Sequence, residues 1–186
     1  MKLLHLDSSI TGENSVSRKV SAAIVDRLRR ETPHISVSHR DLARDAISHL
    51  SALGPDMADD PILAEFLGAD IVVIGAPMYN FTIPSQLKAW LDRILVAGKT
   101  FRYTEKGAEG LAGGKRVILA ISRGGLYGEG SPGSAMEHLE TYLRGVFGFI
   151  GILPEVVLAE GVNLGPDQRS AAVDGALRQV EVLKAA

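Results

Sequence analysis

Ile71-Val72-Val73-Ile74 is an unbroken β-branched run, the pattern of a parallel strand covered on both faces. Val117–Ile121 and Val156–Ala159 read the same way, and residues 2–7 give a first strand. Residues 35–40, ISVSHR, alternate apolar with polar, so this strand has a less covered face and is placed at an edge. Between the strands the apolar period becomes helical. Val16, Val20, Ala23, Ile24 and Leu28 share one face of a helix starting near Ser15 and stopping at Thr32-Pro33. Leu87, Trp90, Leu91, Ile94 and Leu95 follow at i, i+3, i+4, i+7, i+8 in a helix that opens at Pro84 and stops by Gly98. Met136, Leu139, Leu143 and Phe147 predict a helix over 134–147. Val173, Ala176, Leu177, Val180 and Leu183 predict a last helix over 167–184. A weaker amphipathic signal runs from Ala43 to Leu53 until Gly54-Pro55 breaks it, and 61–67 reads as a short helix. Residues 99–114 are glycine-rich and read as irregular, anchored by Phe101 and Tyr103. The resulting order, βαβ(α)βαβαβα, is an α/β three-layer arrangement: one five-stranded parallel sheet with helices on both faces. Right-handed crossovers favour the strand order 2-1-3-4-5.

The chain's 186 residues suit one domain, 1–186. The absence of cysteine excludes disulfides, thiol catalysis and thiolate metal sites. A net charge of −2 gives no global field for nucleic acid, and no apolar run reaches the ~20 residues that span a bilayer. The opening MKLLHLDSS turns polar too soon for a signal peptide, so the expected location is cytoplasmic.

In the order 2-1-3-4-5 the topological switch point lies between strands 1 and 3, where open α/β sheets bind ligands. The loops after strands 1, 3 and 4 converge there. The first is rich in small polar groups, with Ser9, Ser15 and Ser17. The helix after it opens with Arg18 and Lys19 and no carboxylate, against the macrodipole. A bound anion would relieve that conflict; equally, Ser15 or Asn14 caps the helix and the cations face water. The loop is neither a Walker loop nor a G-x-G-x-x-G turn. The second loop, Met78-Tyr79-Asn80-Phe81-Thr82-Ile83, is apolar and aromatic where a plain connection would be polar, which suits a flat apolar ligand. The third, Ser122-Arg123-Gly124-Gly125, permits either close backbone approach or merely positive φ. His5 reads as a satisfied core histidine. His39, His49 and Asp59-Asp60 lack metal-ligand spacing and read as solvated surface.

Together, "SS…SVS", "APMYNFTIPSQLKAWLDR", "TFRYTEKGAEGL", "SRGG" and "FGFIGI" resemble the FMN-dependent NADH azoreductase and NADH:quinone oxidoreductase family, flavodoxin-like in fold, over nearly the whole chain. The resemblance implies bound FMN, NADH or NADPH as donor, and ping-pong two-electron reduction of quinones and aromatic azo compounds. It carries FMN contacts to Ser9, Ser15, Val16, Ser17, Met78, Tyr79, Asn80, Phe81, Ser122, Arg123, Gly124 and Gly125. Asn80 and Tyr103 are candidates for tuning the flavin or touching substrate; no catalytic acid or base is assigned. The segment 42–69, which helps wall the substrate pocket in the family, is shorter here than is usual. A homodimer with flavin sites at its interface is also implied. The apolar loop residues Met78, Phe81, Ile83, Phe101, Tyr103, Leu126, Phe149 and Ile150 would form a patch that association covers, with the Trp90 helix contributing. The competing readings are a flavodoxin-like electron carrier, for which −2 is a weak acidic charge, and a flavin-binding module without turnover.

Overall fold

The computed structural model describes residues 1–52 and 54–184, with backbone alone at 55 and 56. In chain order its elements are β1 (Lys2–Asp7), α1 (Val16–Glu31), β2 (Ser36–Asp41), α2 (Pro61–Gly68), β3 (Ile71–Pro77), α3 (Ser85–Ile94), β4 (Phe101–Thr104), β5 (Gly107–Gly110), β6 (Arg116–Arg123), α4 (Glu140–Phe149), β7 (Glu155–Glu160) and α5 (Pro166–Glu181). The main sheet runs β2-β1-β3-β6-β7 with every neighbouring pair parallel. Counted by the strands of that sheet alone, this is the expected 2-1-3-4-5, with β2 at an edge.

Strand alternation sorts the core into two halves. Leu4, Leu6, Val72, Ile74, Leu119 and Ile121 face α2, α3 and α4, where Phe66 meets Trp90 edge-on at 5.8 Å between centroids. Leu3, Ile71, Val73, Ile118, Ala120 and Val157 face α1 and α5 through Val20, Ile24, Leu28, Ala176 and Val180. Because β3 is apolar at nearly every position, both halves are filled from the same strand. Trp90 is fully buried in the first half. It therefore packs within its own chain and is withdrawn from the expected association surface, as are Ile83 and Ile150, both buried.

Three segments depart from the periodicity. Residues 99–114 contain an antiparallel hairpin, with Phe101 opposite Gly110 and Thr104 opposite Gly107. Its glycines disguise the F-R-Y-T alternation, yet Gly110 is required by packing: a Cβ there would lie 2.1 Å from the Gly151 nitrogen. The helix expected over 134–147 is broken. A 3₁₀ turn, Ser134–Met136, precedes α4, and the Glu137 carboxylate accepts the amides of Leu139, Glu140 and Thr141. Burial pushes that carboxyl up, but these bonds and Arg123 outweigh burial and hold it below its ordinary value. The 43–52 stretch is not helical; Arg93 of α3 takes the Ser48 carbonyl at 3.0 Å, an acceptor a helix would have used. Leu53 lies outside the described residues.

Candidate functional site

A crevice of about 480 Å³ opens at the carboxyl ends of β1, β3 and β6, lined by Ser9, Thr11, Asn14, Ser15, Val16, Pro77, Met78, Tyr79, Ser122, Gly124, Val162, Asn163 and Arg169. The chain leaves β1 toward β2 on one side and crosses to β3 on the other, so this is the switch point of the sheet.

One end of the crevice is the N-terminus of α1. Ser15 is its cap, in extended conformation, and its Oγ accepts the Arg18 amide at 3.2 Å. The cap therefore serves the third helical amide and leaves those of Val16 and Ser17, which have no intrahelical acceptor. Ser17 is buried, its Oγ sharing a 3.1 Å bond with that of Ser15. The conflict posed by Arg18 is resolved inside the protein rather than by an anion. Its guanidinium takes both oxygens of Asp41 at 2.6 and 2.8 Å and the Ser9 carbonyl at 2.7 Å. Hydrogen bonding to Asp41 raises the Arg18 pKa and, reciprocally, lowers that of Asp41.

The middle of the crevice is the loop after β3. Tyr79 and Thr82 bridge, which leaves Asn80 and Phe81 as the two central residues of a tight turn with φ of 47° and 73°. Asparagine tolerates that region, whereas a bulky residue rarely occupies it. The turn carries Phe81 toward Tyr127, edge-on at 6.2 Å between centroids, and Asn80 and Phe81 are both exposed beyond the crevice lining. Tyr79 crosses the crevice: its hydroxyl meets the Ser9 hydroxyl and the Ile10 amide, each at 3.1 Å. The loops after β1 and β3 are thereby tied together.

At the β6 end, Ser122 and Gly124 line the crevice. A Cβ on Gly124 would stand 2.7 Å from the Asn163 Nδ2, so glycine keeps this wall close. Arg123 points elsewhere. Its side chain is buried among Glu137, Glu140 and Glu160 at 3.2, 2.8 and 3.2 Å. Its carbonyl accepts the amides of Gly161 and Val162. Gly125 packs beside Tyr127. Tyr103 is three-quarters exposed on the β4–β5 hairpin, against Phe101.

Arg169 and Asn163 line the crevice although no sequence motif marked them. Arg169 lies in the first turn of α5, and its guanidinium reaches the Asn14 carbonyl at 2.7 Å and the Val162 carbonyl at 3.4 Å. A cation beside a helix N-terminus was the very signal noted at Arg18, and Gly165-Pro166 marks this helix start as clearly. Asp60 departs from the expected solvated surface, and His39, exposed as expected, is nonetheless partnered. Asp60 caps α2 through the Ile62 amide at 2.8 Å and pairs with Arg93 at 3.1 Å. The His39 Nε2 stands 3.0 Å from Asp7 Oδ2. His49 and Asp59 are exposed, and His5 is buried and bonded to Ser21, as a core histidine should be.

A family model described as a flavodoxin-like fold matches residues 1–183. The FMN-dependent NADH:quinone oxidoreductase 2 of Bradyrhizobium diazoefficiens is 60% identical over 202 residues, covering all of both chains. The solved azoreductase from Bacillus anthracis str. Sterne superposes with a TM-score of 0.86 at 30% identity, over 97% of this chain and 96% of that one. A structure of an FMN-dependent NADH-azoreductase from Bacillus anthracis str. Ames Ancestor, in complex with FMN, gives a TM-score of 0.84 at 26% identity, over 97% of this chain and 95% of that one.

Proposed function

This chain belongs to the flavodoxin-like family, and on that premise we propose that it is an FMN-dependent NADH:quinone oxidoreductase, built as one domain over 1–186, that also reduces aromatic azo compounds. The observation that carries the reading is the graded chemistry of one crevice. Its α1 end offers the Val16 and Ser17 amides, the Ser9 and Ser15 hydroxyls and the Arg169 guanidinium. Its middle offers Pro77 and Met78, and its far wall is kept shallow by Gly124. A phosphate fits the first part, since a helix N-terminus with free amides favours an anion. A flat ring fits the second, and its polar edge fits the backbone and side-chain donors around Gly124 and Asn163. A volume of about 480 Å³ lies within the range of small-molecule sites.

Bound FMN supplies two-electron chemistry, taking hydride from NADH and giving the electron pair to the acceptor. The protein's part is placement. Ser9, Ser15, Val16, Ser17 and Arg169 hold the phosphate; Met78 and Tyr79 flank the ring. Ser122 and Gly124 bring donors to its edge, where they stabilise added negative charge. Asn80 and Phe81, held at positive φ, and Tyr127 shape the mouth through which donor and acceptor enter. Arg123 contributes by bracing β6, α4 and β7 rather than by touching the ring.

The exposed aromatic surface supports a homodimer with flavin sites at its interface. Phe101 packs on Phe149 and Tyr103 at 4.7 and 5.6 Å between centroids, and Phe81, Tyr103, Leu126, Met136 and Phe149 are all exposed. Among the described residues, no helix is long and apolar enough to cross a membrane.

The test is NADH oxidation with menadione, with and without FMN. Turnover should require FMN, and double-reciprocal plots at varied acceptor should be parallel, because donor and acceptor share one face of the ring in turn. Turnover without flavin, or none with it, would refute the assignment; intersecting lines would refute the shared position.

A further inference from the structure

We propose that His5, Asp7 and His39 form a binding site for a divalent transition metal of the zinc class, on the α1-facing side of β1 and β2. The two strands carry the same pattern, His5-Leu6-Asp7 and His39-Arg40-Asp41. Their parallel register sets His5 opposite His39 and Asp7 opposite Asp41. Side chains two positions apart on a strand share a face, so the register gathers two imidazoles and two carboxylates on one patch of sheet.

Arg18 accounts for Asp41 by taking both its oxygens. It does not account for the histidines. Asp7 is buried, 4% exposed, and both Nε2 atoms face its carboxylate: His39 at 3.0 Å from Oδ2 and His5 at 3.6 Å from Oδ1. Ser21 donates to Oδ1 at 2.9 Å and lies 3.0 Å from the His5 Nε2. One nitrogen from each ring and one carboxylate oxygen all lie within 4.8 Å of one another. Donors held tetrahedrally at about 2.0–2.1 Å from zinc stand ~3.3 Å apart; the 3.0 and 3.6 Å separations are to different oxygens of Asp7, and the three donor atoms together are bounded by 4.8 Å. Rotation of the two rings and of the Asp7 carboxylate brings the three donors onto one ion.

The donor chemistry selects the class of metal. Two imidazoles and a carboxylate suit zinc, copper(II) or nickel(II), whereas magnesium and calcium want oxygen alone. Charge also permits a cation. The nearest fixed positive charge, Arg18, lies 3.7 Å from Asp7 Oδ2, but two carboxylates against one guanidinium leave the cluster negative. Access exists as well: the His39 side chain is 48% exposed on an edge strand, so an ion can enter from solvent and keep water as its remaining ligand. The carboxylate already orients the His39 ring directly and the His5 ring through Ser21, which lowers the ordering cost of binding.

The experiment is calorimetric titration of the FMN-loaded full chain, freed of metal by chelator, with zinc sulfate. Cobalt(II) is used in parallel for its visible d–d bands. About one equivalent should bind tightly per chain, cobalt should give a four-coordinate nitrogen–oxygen spectrum, and zinc should raise the midpoint of thermal unfolding. His39→Ala should weaken binding by at least about 100-fold, since losing even an outer partner costs 10–100-fold. His49→Ala, at an exposed histidine elsewhere, should leave it unchanged. His39→Gln keeps a polar contact with Asp7 but not the metal nitrogen, and serves if the alanine variant is unstable. Equal zinc binding by wild type and both His39 variants would overturn the site. So would no heat above dilution at millimolar zinc.

Discussion

Ser17→Ala separates the two jobs of the loop after β1. The Ser17 hydroxyl is fully buried and bonded at 3.1 Å to Ser15 Oγ, which also accepts the Arg18 amide at 3.2 Å. With that lone pair occupied, the Ser15 proton is directed either to Ser17 or into the crevice. Removing the Ser17 hydroxyl deletes one neutral hydrogen bond, a net loss of about 0.5–1.5 kcal/mol of stability, and leaves the Ser15 cap in place. Ser17 does not line the crevice itself, so its hydroxyl must turn from Ser15 to reach the flavin phosphate; if FMN binding makes that switch, the phosphate loses more. A hydrogen bond to a charged group contributes roughly 1.5–3 kcal/mol, which is about 10- to 150-fold in affinity. The assay is paired: urea unfolding of the FMN-free protein, and FMN affinity by quenching of flavin fluorescence. The account expects a small shift in unfolding midpoint beside a loss of one to two decades in affinity. An unchanged dissociation constant would refute the reasoning and reduce Ser17 to a support for the cap.

Arg169→Gln should weaken FMN binding by roughly 10- to 100-fold and flatten its dependence on salt, since a charge facing the phosphate is screened by ions; affinity and salt slope equal to wild type would remove Arg169 from the site. Asp41→Asn tests the pair beneath the loop. Arg18 lowers the Asp41 pKa in the folded state, so the stability it adds is complete above the unfolded value of about 3.9 and is lost as pH falls through the folded one. With about a fifth of each side chain open to solvent, screening keeps this to about 1 kcal/mol; circular dichroism should show the two unfolding curves converging at low pH, and a constant offset would contradict it. Dilution should dissociate a dimer and abolish turnover together, and light scattering that reads a 19.8 kDa monomer at full specific activity would contradict the interface.

The main sheet was legible because its strands advertise themselves. Ile71–Ile74 is apolar on both faces, and residues 35–40 alternate in polarity, so burial of the one strand and edge position of the other followed from pattern. The hairpin β4–β5 was not, because Gly107 and Gly110 carry no side chain to show alternation, and the need for Gly110 arises from Gly151, far along the chain. Helix α4 was misjudged because Glu137 looks like an ordinary helical residue. Only the fold turns its carboxylate onto three amides. The crevice was legible as three loops at one switch point, and Ser9, Ser15, Val16, Met78, Tyr79, Ser122 and Gly124 do line it. Arg169 was legible as a cation at a helix start, but its place at the crevice was not, because α5 comes there through packing on α1. Arg123 shows the converse: its place in the SRGG turn suggested the crevice, while three glutamates draw its charge the other way.

The central claim is that the crevice between the loops after β1, β3 and β6 holds a flavin that NADH reduces and a quinone reoxidises. The most direct measurement is an anaerobic titration of the FMN-loaded protein followed at the visible flavin band. About one NADH per bound FMN should bleach the band fully, and about one equivalent of menadione should restore it. Protein that retains FMN but is not bleached by excess NADH, or once bleached does not recover with quinone, would contradict the account.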